Sequence, residues 1–325
     1  MPLESDALEP LLHTLPEVLV HSRADNTVRT YYQSFAMWDS WASAHQVSSL
    51  PAQPLSVALY ILARIQLGHT YAVCKSGFYS IGYLHKLHMM PDPTSEMLPT
   101  LMLEAAKRLD KHCLTKKEPI TNEILKMLHN NLMIKDGTLG AIRTMTFCIL
   151  GYCGFLRYDE ISNLQFGDFV FERTFMKIFI EKSKTDVYRD GKWVFIAKGD
   201  TQLCPIQIVN RYFRECGFTP DSGHEFIFRG ISKGKFHEKL RSVNKPLSYT
   251  RVREVLLQAL GSIGLEPRSF GTHSLRAGGA TVAANAGVPD RLFKKHGRWK
   301  SEKAKDGYVK DNVSQLLRVS QSLGV

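Results

Sequence analysis

The chain lacks any run of eighteen apolar residues, so neither a transmembrane helix nor a membrane partner is expected. Its first stretch, MPLESDALEP, has no basic start and no apolar core of a secretory signal. A protein that is not secreted is the expectation. Cysteine is sparse: six residues, at 74, 113, 148, 153, 204 and 216, with no C-x-x-C and no zinc-module spacing. Reduced, mostly buried thiols follow from that, and a disulfide framework does not. His85 and His88 form an isolated H-x-x-H, read as part of a helix face rather than as a metal site. No repeat, no low-complexity tract and no convincing strand before residue 115 is visible.

What is present is a lopsided charge. Residues 1–115 hold 8 Lys+Arg against 10 Asp+Glu, a balance of −2, and residues 116–325 hold 34 against 21, a balance of +13. The basic excess thus lies wholly in the last two thirds. A basic module of this kind points to a polyanion, most often nucleic acid.

The spacing of apolar residues divides the chain the same way. After an arm of two dozen residues, Val28, Tyr31, Phe35, Trp38 and Ala42 predict a helix over 27–44, capped by Asp25 or Asn26. Pro54 opens a second helix that Gly68 closes, and two more follow over 70–88 and 96–111. The aromatic stripe of the first helix reads as core. CLTKKEP, Cys113 to Pro119, is the linker. Beyond it, Thr121 or Asn122 caps a short helix, and 138–156 is a strongly apolar one. Phe175–Ile180 and Trp193–Ile196 read as paired strands, with a turn at Asp190-Gly191. Helices are expected again at 205–215, 248–263 and 272–285, and a loop or insertion over 218–247.

Six side chains in the second module form a chemically coherent set: Arg157, Lys184, His273, Arg276, Trp299 and Tyr308, with Glu160 in support. His273 and Arg276 are three apart, hence on one helix face. Two arginines suit one phosphodiester and the charge that grows on it. A lysine on a hairpin can protonate a leaving oxygen, and a histidine can take a phenolic proton. A tyrosine can attack phosphorus and keep the bond energy as an ester. Such a set calls for no cofactor and no metal.

The order and intervals resemble the tyrosine recombinases, or phage-type integrases. Their signature is R-x-x-E, a hairpin lysine, H-x-x-R, then His or Trp, and Tyr nine residues later. Here these are Arg157 with Glu160, Lys184 before Thr185, His273 with Arg276, Trp299, and Tyr308. Lys182 is the alternative acid. His296, twelve before Tyr308, is assigned a surface or DNA-backbone role. The resemblance implies a mainly helical fold: an all-helical core-binding domain over 1–115 and a mostly helical catalytic domain with a small antiparallel sheet over 116–325. It implies a C-shaped clamp on double-stranded DNA and site-specific strand exchange through a 3′-phosphotyrosine, independent of metal and ATP. It also implies that the 312–324 tail, with Val313, Leu316, Val319 and Leu323, docks on a neighbour to close a homotetramer on two duplexes. The GRW-x-S lead-in to Tyr308 resembles eukaryotic transposon recombinases of the DIRS, Ngaro and crypton kinds, which implies nuclear action in a eukaryotic host and cytoplasmic action otherwise. The rival readings are type IB topoisomerase-like relaxation and a non-catalytic DNA-binding descendant.

Overall fold

The computed structural model describes residues 9–112, 116–181, 191–234 and 237–324. The chain falls into two compact units, residues 1–115 and 116–325. Among the described residues no helix is long and apolar enough to cross a membrane.

The described part of the first unit is helical: α1 (Glu9–Val20), α2 (Asp25–Ala44), α3 (Pro54–Gln66), α4 (Tyr71–Leu87) and α5 (Met97–Leu109). The arm is therefore a helix over part of its length, with Leu11, Leu15 and Val18 exposed. The predicted cap of α2 is not formed. Ala24 holds the cap position without a side-chain bond, and Asp25 lies inside the first turn, where its charge meets the positive helix end. Trp38 is fully buried, stacks on Trp41, meets Tyr60 edge-on, and donates its indole N–H to the Ser49 carbonyl at 3.0 Å. It is core, as the spacing indicates. His85 is fully buried too. Its Nε2 accepts from the Ala52 N–H at 2.8 Å, which leaves Nδ1–H to donate to the Ile81 carbonyl at 2.8 Å. Both ring nitrogens are thus engaged in joining α4 to the turn before α3.

The second unit is organised around α7 (Leu139–Cys153). Every residue from Ala141 to Gly151 is buried, because this helix is apolar on all sides and has neighbours on all sides. Thr138 caps it, donated to by the Ala141 N–H, and Thr121 caps α6 (Asn122–His129) likewise from Ile124. The end of the predicted linker and the residue after it are tied to this unit, with the Glu118 and Ile120 N–H groups donating to the Ser269 and Ser274 carbonyls. Around α7 lie α8 (Tyr158–Ser162), α9 (Pro205–Cys216), α10 (Tyr249–Ser262) and α11 (His273–Asn285), and the chain ends in α12 (Asp290–Gly297), α13 (Glu302–Asp306) and α14 (Val313–Gln321).

The sheet has three antiparallel strands in the order β1 (Phe169–Phe171), β2 (Phe175–Ile180), β3 (Lys192–Ala197). The pair β2–β3 was legible from alternation: Met176, Ile178 and Ile180 face the core, opposite Ile196, Val194 and Lys192. The three-residue β1 was not, being too short to show a period. Gly191 takes φ +65°, as the hairpin turn requires, while Asp190 lies outside the described residues. The predicted loop over 218–247 needs correction. It contains the hairpin β4 (Ile231–Lys233) with β5 (Glu238–Leu240), and it sends Ile227 and Phe228 fully into the core beside Phe147 and Tyr212. The apolar run Phe226-Ile227-Phe228 is only three residues long and shows no period, so sequence reading passed over it.

Candidate active site

The site is built on the C-terminal end of α7. A helix end exposes carbonyls without partners and carries partial negative charge. Here the chain from Cys153 to Phe155 turns through φ +47° at Phe155 and presents three such carbonyls to one region. His296 bonds the Cys153 carbonyl through Nε2 at 2.8 Å. Arg298 donates to the Gly154 carbonyl at 3.3 Å and to the Phe155 carbonyl at 3.0 Å. Arg276 donates to the Phe155 carbonyl from Nη1 and to the Gly297 carbonyl from Nη2.

Arg276 sits one turn into α11 and is wholly buried. The helix comes this close because it has no side chains where it crosses α7: a Cβ at Gly279 would lie 2.1 Å from the Tyr152 carbonyl oxygen, and one at Gly278 would lie 1.9 Å from that of Ile120. The small residues after H-x-x-R thus admit the protein's own backbone. Burial, reinforced by the charges of Arg157 and Arg298, pushes the Arg276 pKa down to about 9, so the group stays charged at neutral pH.

Arg157 is the N-cap residue of α8, and Glu160 bonds back to it twice. Oε1 accepts from Arg157 Nη1 at 2.8 Å and Oε2 from the Arg157 backbone N–H at 2.9 Å. Oε2 also accepts from Arg298 Nη2 at 2.8 Å. Burial alone would raise the Glu160 pKa, but Arg298, the Arg157 N–H and the Arg157 and Arg276 charges outweigh it and hold it low. The carboxylate is therefore ionised.

Tyr308 follows α13 and is half-buried over this cluster. Arg276 Cζ lies 4.9 Å from its ring centre and 4.6 Å from that of Trp299. The rings of Trp299 and Tyr308 are 5.8 Å apart, and the ring of His273, the exposed first residue of α11, is 6.0 Å from that of Tyr308. The Tyr308 segment is fastened on two sides. Thr281 donates to the Tyr308 carbonyl at 3.4 Å and accepts from the Lys310 N–H at 3.0 Å. Lys305 bridges Glu302 at 2.6 Å and bonds Asp290 of α12. Two buried donors of the group, Trp299 Nε1 and Arg276 Nε, meet no acceptor among the described residues.

Arg157, Glu160, His273, Arg276, Trp299 and Tyr308 thus come together. Lys184 and its alternative Lys182 lie outside the described residues. His296, expected in a surface or DNA-backbone role, is partly buried: its ring packs edge-on to Phe155 and bonds the Cys153 carbonyl, which gives it a part in the scaffold. Burial lowers its pKa against the pull of the Cys153 carbonyl, assisted by the Arg298 and Arg276 charges. The residue missed outright is Arg298. It lies in KKHGRWK, where one more cation reads as solvated charge. Only its left-handed backbone, φ +55°, turns it inward.

The sequence profile of the phage integrase family matches residues 120–315, more than half of the chain. The chain belongs to the phage integrase family. It is a tyrosine recombinase, an enzyme that breaks and rejoins DNA strands. An integrase/recombinase XerD homologue of Selenomonas ruminantium is 26% identical over 294 residues, covering 90% of this chain and 83% of that protein. The Cre recombinase of Escherichia phage P1 is 21% identical, covering 86% and 82%. The fold matches the XerH site-specific recombinase bound to its difH substrate with a TM-score of 0.63 at 14% identity, over 92% of this chain and 80% of that one. It matches the Tn1549 transposon integrase in complex with transposon right end DNA with a TM-score of 0.60 at 11% identity, over 96% and 99%. At 11–14% identity the likeness to these solved structures is one of fold alone, and the two curated relatives are bacterial and phage proteins.

Proposed function

We propose that this integrase is a site-specific recombinase in which Tyr308 is the nucleophile, acting on double-stranded DNA held by the basic second unit. The phenolic oxygen attacks the phosphorus, the bond to the 5′ oxygen breaks, and a 3′-phosphotyrosyl ester forms. The 5′ oxygen takes a proton, from Lys184 on the resemblance alone. Reversal with a second strand rejoins the DNA without ATP, since the ester retains the energy of the broken bond. Arg157 and Arg276 hold the phosphate, Trp299 donates its indole N–H to it, and His273 takes the phenolic proton.

The observation that supports this reading is the pair of buried donors beside Tyr308 that meet no acceptor among the described residues, in a cluster with surplus positive charge. Buried donors are almost always satisfied, and a phosphate oxygen satisfies donors of this kind. The exposed apolar stripe of α14 supports the further reading of a homotetramer closed by tail exchange: Val313, Leu316, Val319 and Leu323 are each more than half exposed. The test is a nicked duplex that traps the covalent adduct. Wild type is expected to form a protein–DNA band that resists denaturant, and Tyr308→Phe none. No band with wild type, or a band that survives Tyr308→Phe, ends the reading.

A further inference from the structure

Glu160 poses an electrostatic difficulty for this site. A carboxylate beside Arg157 makes a neutral pair, which would leave Arg276 as the one net cation for the phosphate. Arg298 changes that sum. It bonds Glu160 from the inner side, and it also donates to the main-chain carbonyls of Gly154, Phe155 and His296. The Arg298 and Glu160 side chains are 2% and 1% exposed, whereas that of Arg157 is 12% exposed. Arg298 therefore faces the carboxylate and the end of α7.

Its placement is unfavourable on other grounds. It caps α12 in the left-handed region, where glycine is the unstrained choice and a side chain is strained. Taking a guanidinium out of water is costlier still unless it is paired. A cap does not require a buried charge; a buried carboxylate in need of compensation does.

We propose that Arg298 is a positioning residue that neutralises Glu160 from within, so that Arg157 and Arg276 keep two uncompensated positive charges for the reacting phosphate. This rests on the reading of Tyr308 as nucleophile at a phosphodiester. Three guanidiniums and one carboxylate sum to +2. A phosphodiester brings one negative charge and the attacking phenolate a second. The site is then matched to the charge present during attack rather than to the bound diester alone, which is the difference that accelerates a reaction. Without Arg298 the sum is +1.

The test uses the full chain with Arg298→Met, Glu160→Gln and the double variant. Methionine keeps a long stem and the same backbone strain but removes the charge. Tungstate, a divalent oxyanion, is titrated calorimetrically without DNA at pH 7. Arg298→Met is expected to weaken tungstate at least tenfold. The double variant returns the sum to +2 and is expected within about threefold of wild type, which restored packing alone does not produce. The rate of adduct formation on the nicked duplex should follow the same order, with duplex affinity changing less than threefold. Wild-type tungstate affinity in Arg298→Met, or a double variant as weak as the single, overturns the proposal. If Arg298→Met does not fold, as judged by thermal unfolding, Glu160→Gln alone carries the test: the sum becomes +3 and tungstate must tighten, and a weaker affinity overturns the proposal. Failure of the Tyr308 reading shows separately, as no adduct in wild type.

Discussion

Trp299 illustrates how one side chain serves two ends. Its ring is packed among Phe155, Phe293 and Tyr308, at centroid separations of 5.9, 5.0 and 5.8 Å, and it fills the space where a Cβ on Gly297 would clash at 2.0 Å. Its N–H meanwhile lacks an acceptor among the described residues. The packing belongs to the fold and, on the proposed mechanism, the donor to the chemistry; Trp299→Phe separates them. Hydrogen bonds to charged groups are worth about 1.5–3 kcal/mol, so single-turnover cleavage should slow at least about tenfold. The unfolding temperature should fall only modestly, because the smaller ring gives up packing while a buried unpaired donor is removed. Cleavage at the wild-type rate would remove the indole from the reaction.

At the scale of elements, the tail is the clearest case of an incomplete surface. The described part of α14 is a nine-residue helix, too short to persist alone in water. Its apolar residues, Leu317 included, stay exposed. Removing residues 312–325 should leave the second unit folded and reduce tetramers on DNA to smaller species in sedimentation. Tetramers of unchanged abundance would mean that α14 is not the link. What the sequence disclosed follows the same division. The continuous apolar run of α7 and the alternation of the β2–β3 pair could be read directly, and the characteristic intervals picked out side chains that the fold brings near one another. The cap at Thr121 was accessible because a hydroxyl before an apolar run has a local cause. The cap of α2, the inward turn of Arg298 and the burial of Ile227 and Phe228 were not. Each depends on contacts distant in sequence, and nothing in the neighbouring residues encodes them.

For the whole molecule, a buried histidine, His129, and a partly buried one, His296, set an acid limit. Burial lowers the pKa of both His129 and His296, and Arg211 adds to the effect at His129. The unfolded chain then binds more protons than the folded one once the pH falls below the ordinary histidine value of about 6.5. Stability should therefore be nearly level above pH 7 and decline as the pH falls from there toward 5, with Glu160, held low, losing its contribution only at still lower pH. Calorimetric unfolding across this range checks it. The His129→Gln/His296→Gln double variant should show a shallower decline, and an unchanged slope would place the acid sensitivity elsewhere.

The carbonyls of Cys153, Gly154 and Phe155 that anchor Arg276, Arg298 and His296 belong to the peptide chain and not to any side chain. Almost any amino acid provides such an oxygen. The anchorage can therefore outlast wide drift in the letters around it, so long as the path of the chain is kept. Relatives only 26% and 21% identical to this protein are what such an arrangement permits. The constraint falls instead on the few residues that bring the donors, and on the two glycines that let α11 come near enough to deliver one.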